Sequence, residues 1–155
     1  RGRGSQLYRA SACCLNLMLL SRSTSLERAL EFHAVFVLAR ANLSDLEKRL
    51  PDMDQAVSSD RFLEFRIQTA VTVACTSMDV CFVDLGLTYR PVLSAVGLLG
   101  RQINGRATAD LGAALTQRDR LLAAKNIGSA ALCHEWARML AETRSWEAAQ
   151  AHVDS

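Results

Sequence analysis

The sequence predicts an all-α fold, a single-domain bundle of about five to six helices, two of them long. Three observations predict it. Two prolines and eight glycines punctuate 155 residues, so long stretches run free of the breakers that a many-turned β-sandwich needs. Apolar residues recur in those stretches at spacings of three and four, the period of one helix face. Half the residues are hydrophobic and 22% are charged, a balance that builds a core rather than a disordered chain. A chain of this length forms one domain and buries about 70% of its unfolded surface.

Residues 1–23 read as a basic, apolar N-terminal arm or targeting remnant, and residues 24–155 as the helical domain. The first 25 residues hold four arginines, five serines and no acid, the composition of a presequence for the mitochondrion or another organelle. The apolar run at 10–20 is too short for a bilayer, which takes about 20 residues. It is expected as a short helix docked on the domain or on a neighbouring subunit.

Thr24 and Glu27 have the spacing of a capping box, so a helix should begin there. Phe32, Phe36, Ala39, Leu43, Leu46 and Leu50 form its buried stripe, and Pro51 ends it. Residues 34–39 are apolar nearly all round and should be deeply buried, with 42–49 half exposed. A second long helix is expected over 59–85, with Leu63, Ile67, Ala70, Ala74, Met78, Cys81 and Leu85 at helical spacing and Gly86 as its stop. The Val- and Thr-rich part at 69–85 also suits a strand. Helix is preferred because no turn residue interrupts it.

Pro91 fits the first turn of a further helix running to about residue 103, in which Ser94, Gly97 and Gly100 form a small-residue face for close helix approach. Thr108 can cap the next helix, which carries Leu111, Ala114, Leu115, Arg118, Leu121 and Leu122 and ends near Gly128. Ser129 can cap the last, with Leu132, Cys133, Trp136 and Leu140. Residues 136–153 form one helix or a hairpin broken near 143–145.

Recognised site chemistry is absent from the residues. His33, His134 and His152 make no HExxH, HxxxH or ExxH spacing, so no metal site is expected. In His134-Glu135 the position of a second zinc-binding histidine is Arg138. No GxSxG, GxxxxGK[ST] or GxGxxG occurs, which removes the nucleophile elbow and the phosphate loops. Asp79 and Asp84 would point about 140° apart on a helix, not together as an acid and base pair must. No cofactor is expected. Five cysteines without a CxxC pair suggest buried thiols in an intracellular reducing compartment.

Residues 135–140, followed by Trp146 and Ala149, loosely resemble one tetratricopeptide repeat, with Trp146 and Ala149 at second-helix positions. Arg144 stands where that repeat has its turn glycine, and no second copy follows at its period of about 34 residues. A helical hairpin explains the pattern equally well.

These readings favour a non-catalytic structural or adaptor subunit of a larger protein assembly, acting through helical packing surfaces. Its partners would be protein subunits of a larger complex or further copies of itself. The residues expected to pack against a partner are Leu15, Leu17, Leu19, Ser94, Gly97, Gly100, Trp136 and Trp146. The alternative is a nucleic-acid-associated protein, because Arg90, Arg101 and Arg106 share an acid-free stretch and Arg1, Arg3 and Arg9 lie in the arm. Those six arginines suit RNA or a membrane surface of phospholipid headgroups, with no transmembrane span. A third reading is an enzyme that assembles His33 or His134 with Asp79 or Glu64.

Overall fold

The computed structural model describes residues 4–49, 60–142 and 146–155. Leu50, Pro51 and Ser59, expected at helix ends, lie outside them, as does the expected break at 143–145. Within the described residues the elements are β1 (Ser11–Cys14), β2 (Leu17–Leu20), α1 (Leu26–Arg49), α2 (Asp60–Ser77), a 3-10 turn (Phe82–Leu85), β3 (Thr88–Ala95), α3 (Val96–Leu99), β4 (Arg101–Asn104), α4 (Leu111–Ile127), α5 (Ser129–Ala141) and α6 (Trp146–Asp154). The fold is therefore mixed, not the expected all-α helical bundle. An antiparallel sheet in the order β1-β2-β3-β4 overturns that expectation.

The first correction falls on the segment expected to be a docked helix. Residues 11–20 form a hairpin with Ser11 opposite Leu20 and Cys14 opposite Leu17. Leu15 and Asn16 both have positive φ, 54° and 59°, the requirement of a two-residue type I′ turn. Asn tolerates that conformation, whereas Leu loses about 1–2 kcal/mol by it. Leu15 is held there because its side chain is 96% removed from solvent (4% exposed), which gains about 1.5–3 kcal/mol. The Asn16 carbonyl accepts the Val92 N–H at 2.9 Å, tying the turn to β3.

The second correction concerns residues 91–103, expected as one helix. They lie instead in β3, the one-turn α3 and β4, with Leu93 opposite Ile103 and Ala95 opposite Arg101. Pro91 stands inside β3, paired with Leu17 on one side. On its other side Gly105 donates its N–H to the Pro91 carbonyl at 2.7 Å. A Cβ on Gly105 would meet the proline ring at 3.0 Å, so glycine is what lets this strand keep its proline.

Helix boundaries shift by a few residues. The Ser25 hydroxyl accepts the Arg28 N–H at 3.3 Å, so Ser25 takes the capping place expected for Thr24, which pairs with Tyr8. α2 ends at Ser77, not 85. Asp79 turns left-handed (φ 53°), and Val80 donates back to the Cys75 carbonyl at 2.9 Å, a Schellman stop. Asp110, and not the expected Thr108, caps α4, its carboxylate accepting the Ala113 N–H at 3.1 Å. Gly86 does close the 3-10 turn, with φ 53° and a hypothetical Cβ only 2.8 Å from that of Arg22.

Alternation along the strands puts Cys14, Leu17, Leu19, Tyr89, Leu93 and Ile103 under the helices, while Cys13, Ser94, Gln102 and Asn104 face out. α1 packs on β1 and α2, α2 on α1 and α4, and α4 on β2 and β3. One apolar cluster joins the hairpin, α1, α2 and the start of α4. A second joins β3, β4, the end of α4, α5 and Val153 of α6. Arg118, buried on α4 between Leu115 and Leu121, donates to the Leu15 carbonyl at 3.2 Å and pairs with Asp119.

Candidate protein-interaction surface

α2 has apolar residues on opposite sides. Leu63, Ile67, Ala70, Val71 and Ala74 face inward and are buried. Phe62, Phe65 and Val73 face outward, with 38%, 64% and 49% of their surface exposed. Positions 62, 65, 69 and 73 recur at three and four, so one side of the helix carries them all. A helix at the edge of a domain normally needs only one apolar stripe.

Beside that outward row runs an open groove of about 410 Å³, lined by Asn42 and Leu43 of α1 and by Phe65, Arg66, Thr69, Ala70 and Val73 of α2. Its floor is aliphatic and aromatic, and among the described residues lining it Arg66 is the one that is ionisable. Such a lining suits an apolar side chain beside a polar or acidic group.

α1 departs from expectation on its flank away from this groove. Its stretch at 34–39, expected to be deeply buried, leaves Val37 exposed, while Val35, Phe36 and Ala39 are fully buried. Of the groove's residues, Leu43 and Ala70 were expected only in buried stripes, and none was expected to meet a partner. The signal was present, because the apolar positions of α2 fill two opposite stripes instead of one.

The residues expected to meet a partner divide differently. Leu15, Leu17 and Leu19 lie inside this chain's own core, as does Trp136, whose indole N–H donates to the Asn104 carbonyl at 2.9 Å. No heavy atom comes within 4 Å of a Cβ built on Gly97 or Gly100, so no helix makes a close approach there. Exposed Ser94 offers its carbonyl to Lys125 at 2.7 Å. Trp146 is partly exposed, edge-on to His134 at 5.7 Å.

Arg1 and Arg3 lie outside the described residues. Arg9 is exposed ahead of β1, and Arg90 is half-buried in β3 opposite Met18. Arg101 is committed to the fold: its guanidinium lies 4.8 Å over the Trp136 ring and donates to the Val153 carbonyl at 2.6 Å. Arg106 sits 3.8 Å from Glu142. The expected basic strip is thus divided among separate roles.

The proposed catalytic set is not brought together. His33 is exposed on α1, and His134 is exposed on α5 against Trp146. Asp79 is exposed at the end of α2, and Glu64 faces the start of α4, within 3.4 Å of where a Gly112 Cβ would stand. Among the described residues, no group of three His, Cys, Asp or Glu could hold a metal. No described helix is long and apolar enough to cross a membrane. Comparison with protein-family models, curated proteins and solved structures found no match.

Proposed function

We propose that this chain is a non-catalytic structural or adaptor subunit that docks a protein partner on the outward side of α2. The observation that carries the reading is the double apolar stripe of that helix. A helix apolar on both sides belongs in an interior, and α2 gains one only when its outer row is covered. The natural occupant is an amphipathic helix of another subunit, with an apolar side chain over Leu43 and Ala70 and an acidic one reaching Arg66.

Phe65→Glu with Val73→Glu tests it. Both sites are exposed, so the double variant should melt within a few degrees of the parent, since surface changes cost about 0.5 kcal/mol or less. Assembly with the native partner, measured by co-purification from the source cells, should be lost. Retention of the same stoichiometric partner by the double variant would sink the proposal.

A further inference from the structure

The two edges of the sheet are finished differently. At β4 the Asn104 carbonyl is occupied by the Trp136 indole. At β1 the Ser21 N–H donates to the Ala10 carbonyl at 3.0 Å, which makes Ala10 and Ser21 a hydrogen-bonded pair. Following the register, the backbone groups of Ala12 and Cys14 point toward β2, and those of Ser11 and Cys13 point away from it. Ser11 and Cys13 are exposed. No charged residue or proline, the usual protection of an edge strand, occurs from 10 to 16.

α1 extends this flank. It lies over β1 with α2 on one side, and Leu26, Leu30, His33, Val37, Ala41, Ser44 and Lys48 run down the other at spacings of four and three. Leu30 is 60% and Val37 52% exposed. An open strand edge and an apolar helix stripe therefore lie side by side.

We infer that this flank takes a second copy of the chain, β1 pairing antiparallel with β1 and α1 packing on α1. A two-fold axis normal to the sheet runs both pairs antiparallel and keeps the helices on one face. The stripe is complementary to its own reverse. Its first half carries the bulky Leu26, Leu30 and His33, and its second half the small Ala41 and Ser44. With Val37 near the axis, Leu30 meets Ser44 and His33 meets Ala41 of the second copy. Lys48 in the last turn comes opposite Leu26, next to Glu27 in the first, and the helix dipoles oppose. A parallel arrangement would set like charges together. This flank is not the outward side of α2, so either proposal can fail without the other.

Sedimentation equilibrium on the full chain tests the inference, paired with amide hydrogen exchange. The expected mass is twice the 17.0 kDa of the chain, with the Ser11 and Cys13 amides protected. Val37→Glu buries an unpaired charge at the axis and should weaken association about a hundredfold. Cys13→Pro removes an N–H that points away from β2 toward the second copy, and should also yield monomer. Phe65→Glu should leave the dimer intact. A monomeric parent at every concentration, or a dimer that survives Val37→Glu with Ser11 and Cys13 exchanging freely, would overturn it.

Discussion

Tyr89 sits in β3 with 4% of its surface exposed, and burial, reinforced by the Glu64 carboxylate, pushes its phenol up to about 12. An unfolded tyrosine titrates near 10. Between those values the folded chain holds a proton that the unfolded chain has released, so stability must fall as pH rises. The contribution is fully present below pH of about 10 and is lost on rising through about 12, an effect on the order of 2–3 kcal/mol. Urea unfolding of the parent and of Tyr89→Phe across pH 9 to 12, as a rough window, isolates it from the lysines. The difference between the two proteins should change by that amount. Parallel curves would mean that Tyr89 is not held protonated by its surroundings. Cys75 is shifted in the same direction, its thiol raised by burial first and by Cys81 second, so it is a poor nucleophile at neutral pH.

At the level of elements, α6 depends on one side chain from a distant strand. Arg101 of β4 stacks on Trp136 of α5 and bonds the Val153 carbonyl near the end of α6, placing a cation where the helix dipole is negative. Trp136 also meets His152 edge-on at 5.6 Å. Arg101→Met should therefore free α6 locally while leaving α1 and α2 unchanged. Amide exchange in α6 should accelerate about tenfold, the equivalent of roughly 1.4 kcal/mol. Uniform acceleration across the molecule, or none, would count against this role. The elements also show what a reader of the sequence could find. The buried stripes of α1 and α4 were legible, including Arg118 on the inward side, and that of α2 as far as Ala74, because burial repeats with the helical period; Met78 and Cys81, expected to continue it as buried residues, lie past the helix end and are exposed. The strands were not. β1, β2 and β4 have four residues each, too few to display an alternating pattern. Leu15 occupies a turn position that favours Asn or Gly, and Pro91 lies in a strand interior that rarely admits it. Both local rules are broken by tertiary contacts: the Leu15 side chain is buried, and Gly105 makes room for the proline ring. The outward row of α2 was missed for a different reason. Periodicity finds apolar residues and does not say which of two stripes a domain will cover.

For the molecule as a whole, residues 4–22 supply two of the sheet's four strands. β2 lies between β1 and β3, and the hairpin gives Ala10, Cys14, Leu15, Leu17 and Leu19 to the same cluster as Phe32, Phe36 and Leu63. Losing four buried leucines, Leu20 being the fourth, removes about 6–12 kcal/mol of burial, comparable with the whole of about 5–15 kcal/mol that holds a domain folded. Further losses fall on what remains. Arg118 gives up the Leu15 carbonyl, its buried partner, and the β2-facing edge of β3 opens along Thr88–Val92. A removable leader has no such contacts. Deletion of residues 1–22 should therefore yield a chain that aggregates, binds a hydrophobic dye and melts without a cooperative transition. Restoring the segment as a separate peptide should recover some solubility, since the hairpin's partners on β3 and α1 are still present. A truncated chain with the parent's solubility and melting temperature would show that β1 and β2 contribute nothing to the fold, and the segment would then be a targeting remnant after all.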